Sequence, residues 1–267
     1  MTRARPLGIA LALVVVMLAV LGPLLTADPL TATVDGLVLQ GPTARHWLGT
    51  DQFGRDVLAR LAHGARLSLG IAGLAIGIAL VIGSFLGLLA GGRDGLGARL
   101  CSRAIDLALS LPRVVVLLVL VAATGTLGPL ALAAVLGLTG WPAIARLTRG
   151  EAERLRHAPY VLAARTLGAS PRRQLLAHVL PGTLPAALIA ATLGVADVLL
   201  LEAGLSYLGI GVQPPTPTWG NMILEAQGHL ATAPRLLLIP ALALVTATAA
   251  ATLLGDALRA RLSPHRR

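Results

Sequence analysis

The sequence predicts an all-α integral membrane protein of about six spans with both termini cytoplasmic, and three observations carry that prediction. Mean hydropathy is +0.79 and 55% of residues are hydrophobic, far above soluble norms. Only 13% of residues are charged, and they cluster between uncharged runs long enough to cross a bilayer. The 22 basic residues are all Arg and fall mostly on one side of those runs, as the positive-inside rule requires. A net charge of +10 would also fit a nucleic-acid binder. With the arginines lodged between apolar spans and few aromatics beside them, the positive-inside rule explains the excess better. The single cysteine, Cys101, excludes an internal disulfide and a multi-cysteine metal site.

The first span is expected from Pro6 to Ala27, an uncharged run of about 22 residues behind Arg3 and Arg5. A cleaved leader would start the same way, but Leu25 is a poor −3 residue before Ala27, so a retained span is expected. Residues 28–66 are mixed and polar. Within them His46–Leu69 is read as holding a short amphipathic helix, capped by Thr50 or Asp51, turning Leu58 and Leu61 to the membrane and ending at Gly64. Leu67 to Gly92 forms the second span, with Gly70, Gly73, Gly77, Gly83 and Gly87 spaced for close helix packing. Arg93, Arg99 and Arg103 mark a cytoplasmic loop. Val114 to Ala145, about 32 uncharged residues, reads as a hairpin of spans that starts near Pro112-Arg113 and turns at Gly125, Gly128 and Pro129. Trp141, Pro142 and Arg146 close the fourth span at the inner face.

Between Arg146 and the fifth span lies one long polar stretch, Tyr160–Pro181, read as two short helices. Pro159 suits a first helical turn, Gly168 a left-handed C-terminal cap, and Ser170-Pro171 an N-cap followed by Pro at N1. Tyr160, Ala163, Ala164 and Leu167 share one face, where two alanines leave a low profile for a docking protein. The second helix sets Leu175, Leu176 and Val179 opposite Arg172 and Arg173. The fifth span, Gly182 to Ala203, carries Asp197 and Glu202, both costly in hydrocarbon. Asp197 is read as a pore-lining acid or a subunit-interface hydrogen-bonding group, and Glu202 as solvated at the outer end. Leu205–Pro234 forms an outer segment in which Pro214, Pro215 and Pro217 favour an extended form and Trp219 anchors at the interface. Leu236–Gly255 is the last span, followed by a basic tail. About 17 arginines then lie inside against about 5 outside (Arg45, Arg55, Arg60, Arg66 and Arg235), which an even number of spans satisfies.

Tyr160-Val161, Ala163-Ala164-Arg165, Leu167-Gly168-Ala169-Ser170 and His178-Val179-Leu180-Pro181 resemble the "EAA" coupling loop of permease subunits in bacterial ABC importers. They are most similar to the dipeptide/oligopeptide/nickel branch. Leu48-Gly49-Thr50-Asp51, Gly54-Arg55-Asp56, Trp141-Pro142 and the run Glu202 to Gly209 resemble that branch too, as does the outer segment with Gly209, Pro214, Pro215, Trp219, Gly220 and Asn221. Leu162 departs from the pattern, standing where the family usually carries the glutamate. The resemblance implies a type-1 permease fold in the bacterial plasma membrane: residues 1–66 lead in, residues 67–256 form the core with the coupling loop at 147–182, and residues 257–267 form the tail. It implies a paralogous permease subunit as heterodimer partner and two ATP-binding cassette subunits docked on the loop. An extracytoplasmic substrate-binding protein would deliver a peptide or a related solute such as nickel. Asp197 and Glu202 are the expected translocation-path residues.

The chain has no lysine, so it lacks the cation that a Walker loop aims at the β- and γ-phosphates. ATP is therefore expected on a partner subunit, and no cofactor on this chain. A serine hydrolase would have to use Gly204-Leu205-Ser206, where the bulky Tyr207 follows the serine and the last span offers no histidine as base. The histidines lack metal-ligand spacing. An ion-coupled secondary transporter would use Asp197, but no internal repeat accompanies the single loop.

Overall fold

The computed structural model describes residues 4–26, 28–30, 37–125 and 127–262. Arg3, Ala27 and the tail beyond Leu262, with Arg266 and Arg267, lie outside the described residues. Ten α-helices make up the described chain: α1 (Ala4–Leu25), α2 (Val57–Gly92), α3 (Leu96–Ser110), α4 (Arg113–Thr124), α5 (Pro129–Arg156), α6 (Pro159–Thr166), α7 (Pro171–Arg173), α8 (Leu180–Tyr207), α9 (Trp219–Ala226) and α10 (Arg235–Leu262). Among the described residues the only β feature is a single bridge between Thr50 and Asp56. Backbone groups in hydrocarbon find no water, so helices that satisfy themselves are the expected outcome.

Five helical segments are long and apolar enough to span: Arg5–Leu25, Val57–Gly92, Pro129–Arg156, Pro171–Tyr207 and Arg235–Arg261. A sixth exists only if α3 and α4 count together, and they meet at 84°. The break falls at Leu111-Pro112, where Pro112 disfavours a helical conformation in its predecessor and Leu111 is extended (φ −88°, ψ 130°). The third span is therefore not the plain helix that the uncharged run predicts, because α4 covers only about 18 Å at 1.5 Å per residue.

Three expected boundaries move. The amphipathic helix of residues 46–69 is not separate: α2 starts at Val57 and runs through Gly64 to Gly92. Asp56 caps it, its Oδ1 accepting the Ala59 amide at 2.8 Å, rather than Thr50 or Asp51. Leu61 is buried instead of facing lipid. The helix of the fourth span runs past the expected inner boundary at Trp141, Pro142 and Arg146, since α5 continues to Arg156. Proline inside a spanning helix is tolerated because neighbouring groups take up the freed carbonyl. The second short helix of the polar stretch is the start of the fifth span: α7 passes into a π-helical turn, Gln174–Val179, and on into α8. That widened turn directly precedes Pro181, whose ring has no N–H to donate and crowds the carbonyl of residue 177.

Chain contacts divide the molecule into two units: residues 1–73, 121–133 and 195–254, and residues 74–120, 134–194 and 255–267. In the second unit, α2 and α5 meet backbone to backbone. A Cβ on Gly83 would sit 2.7 Å from the Trp141 carbonyl oxygen, and one on Gly87 2.5 Å from that of Ala145. Gly91 lies equally tight on Arg149. The three glycines step by four residues along α2 and their partners by four along α5, the small-residue seam expected of packed membrane helices. Gly70, Gly73 and Gly77, expected to behave alike, have open space where a Cβ would go.

This contrast makes a paired test. Gly87→Ala should lower the thermal stability of the detergent-solubilised protein by about 1–3 kcal/mol through overpacking. Gly77→Ala should leave the melting curve unchanged or slightly raised.

Candidate functional site

The polar stretch folds into an exposed helix on a buried footing. Ala158 is extended (φ −68°, ψ 144°) and Pro159 opens α6 at N1. Gly168 adopts φ +89°, and the closing bonds are Gly168 N–H to the Arg165 carbonyl (3.0 Å) and Ala169 N–H to that of Ala164 (3.0 Å). That pair is a Schellman ending, which needs a residue free to take positive φ. Ser170 Oγ then caps α7 by accepting the Arg173 amide at 3.4 Å. Gln174 Nε2 donates to the Ala169 carbonyl at 2.7 Å, tying the turn between the helices to the next element.

Val161 is the footing. It is buried with Leu88, Ala152, Leu155, Leu175 and Val179, against which Ala158 and Leu180 also pack. The opposite side of α6 is open: Tyr160 and Leu162 are about half exposed and Leu167 is 88% exposed. Ala163 and Arg165 are exposed and Ala164 is half-buried. Ser170, Arg172, Arg173 and Pro181 are exposed, whereas Ala169 and His178 are half-buried. Beside this element Arg156 Nη1 donates to Asp94 Oδ1 at 2.7 Å. That hydrogen bond and the guanidinium charge hold the exposed Asp94 carboxyl below the usual carboxylate range.

Sequence reasoning missed a second assembly, in the first unit. Asp51, Arg55, Arg60 and Glu225 form a buried four-charge core. Asp51 Oδ2 accepts from Arg55 Nε (2.7 Å) and Arg60 Nη1 (2.8 Å). Glu225 Oε2 accepts from Arg55 Nη2 (2.8 Å), Arg60 Nη1 (2.6 Å) and Gln52 Nε2 (3.1 Å). Asp51 Oδ1 also takes the amides of Phe53 and Arg55, each at 2.9 Å. Two cations and two anions cancel, which is what allows the charges to be buried. Arg55 further stacks 4.5 Å over the Phe53 ring. The signal in the sequence was Asp51 and Arg55 at four-residue spacing in a chain that carries few charges.

The same unit corrects two expectations. Trp219 is not an interface anchor: it is wholly buried and its Nε1 donates to the Leu61 carbonyl at 3.2 Å. Thr218 and Asn221 form a capping box at the start of α9, and a Cβ on Gly220 would meet Ala203 Cα at 2.7 Å. Trp219, Gly220 and Asn221 are thus inside, whereas Gly209 (φ +76°), Pro214 and Pro215 are exposed. Instead of an extended run the prolines make a turn that contains a cis Pro214–Pro215 bond. Glu202 is not solvated: it is fully buried, its carboxyl accepting from Ser68 Oγ (3.1 Å) and Ser206 Oγ (2.9 Å). Asp197 is exposed on α8, on the face that also exposes Leu200, Gly204 and Tyr207. Among the described residues no cluster of His, Cys, Asp and Glu has metal-binding geometry.

Five helices long and apolar enough to cross a bilayer, among the described residues, make this a multi-pass membrane protein. Residues 83–267 match the family described as binding-protein-dependent transport system inner membrane component, and the chain belongs to that family. It is 35% identical over 249 residues to the dipeptide transport system permease protein DppC of Alkalihalophilus pseudofirmus, covering 93% of this chain and 82% of that one. It is 35% identical over 225 residues to the glutathione transport system permease protein GsiD of Pectobacterium atrosepticum, covering 84% and 74%. It is 40% identical over 228 residues to the di/tripeptide transport system permease protein DppC of Pseudomonas aeruginosa, covering 85% and 74%. The fold matches a chain of the inward-facing MetNI methionine ABC transporter, with TM-score 0.61 and 21% identity over 76% of this chain and 96% of that one. The architecture is therefore that of a type-1 ABC importer permease in the inner membrane, a subunit that works with ATPase and substrate-binding partners.

The buried ionic core gives a stability test. Glu225→Ala leaves Arg55 and Arg60 sharing one carboxylate, and should destabilise the folded protein by about 3–5 kcal/mol. Thermal unfolding in detergent reads this. A curve that matches wild type would mean that the core is solvated and contributes little.

Proposed function

We propose that this chain forms half of the translocation path of an ATP-driven importer of short peptides, paired with a paralogous permease, and that α6 is the seat of one ATPase subunit. The observation that carries the reading is α6 itself, exposed on one side and pinned by Val161 on the other. The peptide cargo rests on the relatives named for dipeptides, di/tripeptides and glutathione. Those names favour peptides over nickel.

The packing supplies the mechanism. Val161 meets Leu88 of α2, Ala152 and Leu155 of α5, and Leu175 and Val179 of the π-helical turn. A close-packed interior transmits displacement instead of absorbing it. When the ATPase pair closes and shifts α6, α2, α5 and α8 are therefore drawn with it, opening the path toward the delivering binding protein. Leu162 and Leu167 make the seat apolar, in place of the charge-assisted contact that a glutamate at 162 would give. Asp197 faces the path or the paralogous subunit, because an exposed carboxylate on a spanning helix is too costly to face lipid.

Two variants test this on the co-expressed importer. Leu167→Asp changes a side chain that is 88% exposed, so the fold should persist. Co-purification of the ATPase and uptake of labelled dipeptide should fall at least about tenfold, as for loss of one buried anchor. Gly168→Val has space for its side chain but must hold φ +89°, and should abolish uptake with normal membrane insertion. Uptake that persists without bound ATPase and follows an ion gradient would mean a secondary transporter.

A further inference from the structure

We propose that α3 lies in the membrane interface and that its polar flank closes a site for the headgroup of an anionic phospholipid. Helix α3 has two opposed surfaces. Ile105 is buried in the fold, while Leu96, Leu100 and Leu107, at i, i+4 and i+11, are exposed on the opposite face. Arg103, at i+7, shares that face with the leucines, and Arg99 lies at its edge. A helix of 15 residues carrying two arginines and Asp106 does not belong in hydrocarbon. The 84° bend to the uncharged run of α4 matches a helix in the membrane plane followed by one that enters the membrane. Leucines toward acyl chains beside arginines at headgroup level is the pattern of an interfacial helix.

The arginines also line a cavity of about 420 Å³. On its α3 side stand Arg93, Arg99 and Arg103, all exposed. On the other wall Arg149 is held by Asp106 (3.2 Å) and Arg156 by Asp94 (2.7 Å). Glu153 is the remaining acid lining it, so five guanidiniums face three carboxylates, an excess of two positive charges. A phosphodiester, with its single negative charge, offsets half of that excess and leaves the site attractive to an anionic headgroup. The leucine stripe continues from the cavity's arginine edge and supplies the apolar track for the acyl chains, which selects a phospholipid over free phosphate. Basic pockets between membrane helices are known lipid-headgroup sites in general. All these groups belong to one unit of the chain.

The test uses the intact importer purified in detergent and re-exposed to phosphatidylglycerol or phosphatidylethanolamine, with retained lipid counted by native mass spectrometry. Wild type should retain phosphatidylglycerol preferentially, and retention should fall as salt rises. Arg99→Gln/Arg103→Gln should lower phosphatidylglycerol retention roughly thirtyfold, from two basic contacts. Arg99→Lys/Arg103→Lys should stay near wild type, as should Arg259→Gln/Arg261→Gln, whose arginines do not line the cavity. Equal retention of both lipids by wild type would overturn the proposal without needing any variant. So would unchanged phosphatidylglycerol retention in the glutamine pair. A glutamine pair that keeps its lipid but loses a protein subunit would assign the surface to a partner instead.

Discussion

The seam between α2 and α5 is the contact on which the working half of this chain depends. Apolar helices in lipid gain little from hydrophobic association, since acyl chains offer the same contacts as a neighbouring helix. What remains is packing, and packing is strongest where backbones touch. Gly83, Gly87 and Gly91 bring α2 onto the carbonyls of Trp141, Ala145 and Arg149 over two helical turns. The consequence appears one turn further on. Leu88, Ala152 and Leu155 are held together at the ends of those helices and form the socket for Val161. Without the seam there is no socket, and without the socket α6 is a loose loop with nothing to push against.

A different solution holds the first unit. There the chain gathers four formal charges in one largely buried cluster. Removing an ion pair from water costs several kcal/mol per ion, and their attraction offsets this only when the remaining lone pairs are also used. The Asp51 carboxylate meets that condition with four donors, two of them backbone amides in its own turn. Neutrality inside the cluster makes it a fastener of fixed geometry, joining the segment before α2 to α9. Trp219 and Glu202 extend the same fastening through Leu61, Ser68 and Ser206. A buried cluster of this kind favours one arrangement of the elements it joins.

What the sequence disclosed divides along the range of the interactions involved. The spans were legible because hydropathy is summed over about 20 residues and needs no partner. The ending of α6 was legible because Pro159, Gly168 and Ser170 act within a few residues of themselves. The ionic core was not, since Arg60 and Glu225 stand 165 residues apart and no local pattern pairs them. Gly64 misled for the same reason. It reads as a helix end, yet it lies inside α2 beside Trp219, 3.4 Å from where its Cβ would be. Trp219 and Glu202 were placed at the membrane boundary by residue type, where burial against α2 decided otherwise. In the third span the charge-free run fixed the apolar content but not the direction, which Leu111-Pro112 and the polar flank of α3 set between them.

One ion pair links the proposed lipid site to the proposed ATPase seat. Arg156, the last residue of α5, reaches Asp94 in the turn before α3. Pro159, which opens α6, follows three residues later. Asp94 is exposed and the pair is weak on its own, as surface pairs are. Its effect is geometric, joining the turn that carries α3 to the hinge that carries α6. A headgroup seated among Arg93, Arg99 and Arg103 would add negative charge beside that hinge and draw Arg156 from Asp94 toward the phosphate. Between the proposed lipid site and the proposed ATPase seat, a single shared guanidinium, that of Arg156, is the group through which one would bear on the other.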